Sequence, residues 1–252
     1  MTGKTAQAEQ QLVQALAVQV RDQGVKIGLP YIAISADIGD PEPMRDAEGR
    51  PFAETLFKWL DPGLHYWKDR SFALHSPFVS GARYTAEPFF FVEGRFGTWR
   101  PLPRLERIEV VQAADRLAVG TAIVAPAHLP GGVIGAVVWA SPEIFDVRPM
   151  FEREAASLHA LTLRLLAAYN DLGFAADSEE VRLTRREIQC LKWAADGKTD
   201  ADIGQIMRIS TPTVRFHMRN AADKMGVAGR PQAVHHATTL GYIGERKSRV
   251  RS

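Results

Sequence analysis

Arg215 and Arg219 lie four residues apart in the segment 211–224, TPTVRFHMRNAADK. On a helix, that spacing puts two guanidinium groups one turn apart on the same side. Each carries a rigid fork of donors that fits the O6 and N7 acceptors of guanine in the major groove. Lys198, Thr199, Thr211, Thr213 and Lys224 surround the pair in sequence and are the residue types that hold phosphate oxygens. The chemistry expected here is recognition of double-stranded DNA. The alternative is a small helical packing module whose arginines are merely solvated.

Catalysis has no comparable support. G-x-S-x-G, H-E-x-x-H, P-loop and Rossmann patterns are missing from the sequence. His65 and Asp69 have i,i+4 spacing and His235 adjoins His236, but neither pair has the further ligands a zinc site needs. Neither an enzyme nor a metal or other cofactor is expected. The single cysteine, Cys190, excludes disulfides within the chain and falls at an apolar-periodic helical position, where it reads as a small buried hydrophobe.

Four helices must position the arginines. Thr184 and Glu187 have the spacing of a capping box, and Gly197 stops the helix they open. Thr199 caps a second helix, 200–207, with Asp202 near its positive end. Thr211 is expected to cap the third, with Pro212 at its first position. Pro231 opens a fourth, ending at Gly241. Within the third helix Val214, Met218, Ala221 and Met225 define a core face, completed by Ile203, Ile206, Met207 and Ile209. Arg215 and Arg219 are left on another face.

Before this module the pattern changes. An amphipathic helix over 6–27 uses Leu12, Leu16 and Val20, and a β-rich run occupies 29–38. Segment 52–68 is helical in part, 87–94 reads as a short strand, and 101–117 as a helix. Strands 119–128 and 131–141 are joined by a Pro-Gly-Gly turn. A long helix from about 144 to 172 carries Leu158, Leu161, Leu165, Ala168 and Leu172 on one face, broadened by Leu163 and Leu166. It can pack on a sheet or against a copy of itself. The organisation expected is a domain over 1–172, a linker over 173–182, a four-helix module over 183–244 and a basic tail over 245–252.

Charge follows the same division. Residues 178–252 hold 14 Lys and Arg against 8 Asp and Glu, leaving 17 against 21 for the rest, so +6 faces −4 within a net +2. A basic segment on a mildly acidic body suits a chain of which one part meets phosphate. With 46% hydrophobic and 24% charged residues, a soluble globular protein of the cytoplasm is expected, with neither a membrane span nor a signal peptide.

Segment 183–241 closely resembles the LuxR-type helix-turn-helix domain. The resemblance rests on L-T-x-R-E (Leu183, Thr184, Arg186, Glu187), A-x-G-K-T (Ala195 to Thr199), I-S-x-x-T-V-x-x-H (Ile209 to His217) and K-x-G-V-x-x-R (Lys224 to Arg230). It implies a transcriptional regulator that binds an inverted repeat as a homodimer, with RNA polymerase as a further candidate partner. The order of elements before it resembles autoinducer-binding domains of the same family. That implies an α+β fold, an α-β-α sandwich with an antiparallel sheet, followed by the all-α helix-turn-helix domain. It also implies a small-molecule ligand, an acyl-homoserine lactone or another apolar compound.

The family pocket is marked by W-x-x-x-Y, Asp-Pro and a later Trp; here Gly63, Trp67, Ser76 and Phe91 stand at those places. The pocket expected is lined by Trp59, Trp67, Phe78, Phe91 and Val138, with Ser76 as a polar contact. Aromatic side chains that simply fill a core would give the same pattern. The second functional reading is a ligand-independent regulator or interaction protein controlled by protein partners through its N-terminal domain.

Overall fold

The computed structural model describes residues 2–40, 42–60, 76–108, 118–172 and 181–244. The chain divides near residue 175 into two compact units. The expected linker and basic tail fall almost wholly outside the described residues, as do Gly63, His65, Trp67 and Asp69.

The N-terminal unit is an α+β sandwich. Its five described strands are β1 (Tyr31–Ser35), β2 (Phe89–Val92), β3 (Arg95–Gly97), β4 (Thr121–His128) and β5 (Ile134–Ser141). They form one antiparallel sheet in the order β1-β5-β4-β2-β3. Alternation along each strand sends side chains to opposite faces, and here both faces are covered. Ile32, Phe90, Ile123, Ala125, Val137 and Trp139 pack beneath helices α1 (Thr2–Lys26) and α5 (Arg148–Asp171). Phe89, Phe91, Ala122, Val124, Val138 and Ala140 pack on the other face with Phe78 of α3 (Pro77–Tyr84) and Leu105 of α4 (Pro103–Glu106). A four-residue helix, α2 (Phe52–Thr55), precedes them.

Two local devices fix this arrangement. Glu93 and Gly94, both at positive φ, close the β2–β3 hairpin in two residues, as the twist of paired strands favours. On the first face α1 approaches β5 so closely that Trp139 Nε1 donates to the Val20 carbonyl at 3.0 Å. A Cβ at Gly24 would stand 2.8 Å from both Leu29 O and Trp139 Cδ1, so only glycine fits there.

Several sequence expectations are corrected. Leu12 is 47% exposed, and the buried face of α1 runs instead through Val13, Leu16, Ala17 and Val20. The long helix begins at Arg148 rather than near Ile144, with a proline in its first turn, and its buried face packs on the sheet. Leu163 lies exposed beside that buried stripe rather than broadening it. Of the helix expected over 101–117, four residues form α4, and 109–117 lie outside the described residues.

The C-terminal unit is all-α: α6 (Arg185–Ala195), α7 (Asp200–Met207), α8 (Thr211–Lys224) and α9 (Arg230–Thr239). Cys190, Leu191, Ile203, Val214, Met218, Ala221, Met225, Ala233 and Ala237 form its core. Ile206 does not join them; it is 43% exposed on the outer side of α7.

Candidate nucleic-acid interface and apolar cavity

Each helix of the C-terminal unit starts on a polar cap or a glycine. Thr184 Oγ1 accepts from the Glu187 amide while the Glu187 carboxylate accepts from the Thr184 amide at 2.7 Å, a reciprocal box. Thr199 and Asp202 repeat the device on α7. Two hydrogen bonds from Thr199, hydroxyl and amide, hold the Asp202 carboxyl below its ordinary value. The cap of α8 is Ser210, not Thr211: Ser210 has extended backbone angles and its Oγ accepts from the Thr213 amide. Thr211 and Pro212 thereby become the first two helical residues. The last helix starts after Gly229, at Arg230.

The turn between α7 and α8 sets the angle at which α8 is presented. Arg208 adopts the left-handed conformation at φ 55° and closes α7. The chain then folds back so tightly that the Ile209 amide donates to Gly204 O at 2.9 Å. A Cβ on Gly204 would lie 2.8 Å from the Ile209 carbonyl oxygen. Glycine inside α7 is thus required by the turn, not tolerated by the helix.

Val214, Met218, Ala221 and Met225 are buried, while Arg215 and Arg219 are exposed. Arg215 Nε reaches Asp200 Oδ2 at 3.3 Å, and Asp200 Oδ1 accepts from Arg230 Nη1 at 2.6 Å. Arg230 also donates to the Lys198 carbonyl, so one aspartate ties α7, α8 and the start of α9 together. The role of Asp200 and Arg230 was missed at the level of sequence, where nothing distinguishes a bridging aspartate from a helix-start aspartate. Lys198 and Thr199 are exposed at the start of α7, and Thr211 and Thr213 are half-buried at the start of α8.

Lys224 has a duty within the protein. Its Nζ lies 2.9 and 2.8 Å from the two carboxylate oxygens of Glu187, whose side chain is only 3% exposed. Burial would raise the Glu187 carboxyl, but Lys224 and the Thr184 amide and hydroxyl outweigh it and hold it below the ordinary value. Cys190 is fully buried at the centre of this unit, and burial pushes its thiol up, away from reactive thiolate.

In the N-terminal unit, the face of the sheet that carries Val138 bears a partly open apolar cavity of about 60 Å³. Trp59, Ser76, Phe78 and Val138 line it, together with Ala33, Ser35, Ile38 and Ala136. Phe91 does not line it but stands behind Phe78, edge to face with ring centroids 5.6 Å apart. Trp67 lies outside the described residues. Ser76 is 4% exposed at the N-cap position of α3 and makes no side-chain cap bond to that helix. The described residues include no cluster of three or more His, Cys, Asp or Glu able to hold a metal ion, and no helix long and apolar enough to cross a membrane.

Comparison with known proteins finds relatives of both kinds, by sequence and by fold. Residues 181–237 match the family model of bacterial regulatory proteins, luxR family. The transcriptional activator protein PhzR of Pseudomonas fluorescens is 47% identical over 68 residues, 27% of this chain and 28% of its own. The quorum sensing-dependent transcriptional regulator VjbR of Brucella abortus (strain 2308) is 33% identical over 140 residues, 54% of this chain and 52% of its own. The chain thus spans between about a quarter and about half of the length of these two relatives. RpaR of Rhodopseudomonas palustris, described in the same words as VjbR, is 29% identical over 204 residues, 80% of this chain and 79% of its own. Among solved structures, SdiA in complex with octanoyl-rac-glycerol superposes with a TM-score of 0.51 at 19% identity, covering 96% of this chain and 95% of that one. That likeness extends the shared fold to both units.

Proposed function

Because residues 181–237 form a helix-turn-helix domain of the luxR family, we propose that the chain is a DNA-binding transcriptional regulator governed by its N-terminal domain. The observation that carries the reading is α8, capped by Ser210, seated by Gly204 and presenting Arg215 and Arg219 outward. In this reading α8 lies in the major groove and the two arginines contact base edges. Lys198, Thr199, Thr211 and Thr213 engage the flanking phosphates, with Lys224 divided between phosphate and Glu187. Two copies bind an inverted repeat, their recognition helices about 34 Å apart.

The N-terminal sandwich is the sensor. Its cavity takes an apolar group between Trp59, Phe78, Val138 and Ala136, with Ser76 as the polar contact. A serine hydroxyl gives a neutral hydrogen bond, weaker than one from a carboxylate, so the ligand is held chiefly by apolar burial. Random-sequence selection with the full-length protein tests the regulator reading. The expected result is an inverted repeat with half-sites about one helical turn apart; failure to enrich any sequence, with and without host extract, would refute it. A ligand-independent regulator is the second reading, favoured by the small size of the cavity.

A further inference from the structure

Phe216 is 60% exposed on α8, one residue beyond Arg215 and three before Arg219. The other large apolar side chains of this helix, Val214 and Met218, are 0% and 7% exposed. At about 100° per residue, Phe216 stands roughly opposite the buried stripe of Val214 and Ala221. It therefore occupies the part of α8 that projects furthest from the domain. Its ring lies edge to face with the neighbouring His217 imidazole, centroids 5.7 Å apart.

A large aromatic ring held in water is unfavourable unless something else covers it. Its surroundings select the occupant. Arg215 and Arg219 are both exposed within one turn of it, and an apolar protein surface covering Phe216 would strip water from both guanidinium groups without pairing them. The major groove offers both chemistries side by side: acceptors on guanine for the arginines, and the 5-methyl group of thymine for the ring. We propose that Phe216 is a specificity-determining residue that reads the methyl group of a thymine next to the bases contacted by Arg215 and Arg219. This rests on the DNA-binding reading above and names one base of the operator.

The test uses the operator recovered by selection, resynthesised with each thymine in turn replaced by deoxyuridine, which removes the methyl group alone. Full-length wild-type protein should lose affinity about fourfold at one thymine in each half-site, the value of one buried carbon. Phe216→Ala should bind the unmodified operator more weakly and be indifferent to deoxyuridine at that position, whereas Arg219→Ala should remain sensitive to it. Because the ring is exposed, Phe216→Ala should melt as wild type does. Wild-type protein insensitive to every deoxyuridine, or Phe216→Ala retaining full wild-type sensitivity, would overturn the assignment while leaving DNA binding intact. A selection that yields no operator removes the DNA-binding reading beneath it.

Discussion

Asp200 holds Arg215 with one carboxylate oxygen and Arg230 with the other, so Arg215 and Arg219, the two arginines proposed to read bases, are not equivalent. In the proposed complex Arg219 would meet DNA without first giving up such a contact, whereas Arg215 would exchange an exposed carboxylate bond for guanine. Arg219→Ala should therefore cost about 1–3 kcal/mol of binding and relax specificity at one base pair, with Arg215→Ala at the lower end of that range. Fluorescence anisotropy on the selected operator and its point variants measures both, and an Arg219→Ala protein that binds as tightly as wild type would remove it from the interface. Glu187 gives a second prediction at this scale. Its folded carboxyl is held below the ordinary value, so its contribution to stability is complete above the unfolded value, about 4.3. That contribution falls away as pH drops through the lower folded value. Thermal melts of the full chain from neutral pH downward should show this loss. Glu187→Gln, which keeps a capping-box side chain but no charge, should be less stable at neutral pH and flatter through the acid range.

At the scale of elements, the caps decide what the sequence could reveal. Thr184 with Glu187 and Thr199 with Asp202 were legible because each hydroxyl is followed at the right distance by a carboxylate and then an apolar run. Ser210 and Thr211 are adjacent hydroxyls before one proline, and the pattern cannot say which leaves the helix; backbone angles can. Ser210→Ala should destabilise the C-terminal unit by about 1 kcal/mol, whereas Thr211→Ala, at a helical position, should cost much less. Denaturant titration with C-terminal-unit Trp193 as an observer separates them, and equal losses would contradict the assigned cap. Four of the five described strands and the core stripe of α8 were equally readable from periodicity, but the three-residue β3 was not, being too short to show alternation. Leu12, Leu163 and Ile206 were not, because a helical wheel marks where a side chain points and not whether a neighbouring element arrives to cover it. The tight approaches at Gly24 and Gly204 are long-range and turn-level facts of the same kind.

For the whole molecule, the question is whether a cavity in one unit governs the helix proposed to read DNA in the other. Of the pocket residues expected from sequence, Trp59, Ser76, Phe78 and Val138 converge on one space, and Phe91 backs it without lining it. Which aromatics would face a void and which would fill the core depended on the pairing of β4 with β5 and the placement of α3, information spread over separate segments. Ala136 borders that space on β5, between Ser35 of β1 and Pro126 of β4. Ala136→Leu should fill it, at a packing cost of about 1–3 kcal/mol. Native mass spectrometry of the full-length protein from its own host should find wild type as a dimer with one extra mass per protomer. The Ala136→Leu dimer should lack that mass, and its operator affinity should match that of ligand-free wild type. If the mass persists in Ala136→Leu, the ligand occupies another site. If wild type carries none, and host extract changes neither its mass nor its operator affinity, the sandwich regulates through protein contacts and the ligand-independent reading stands.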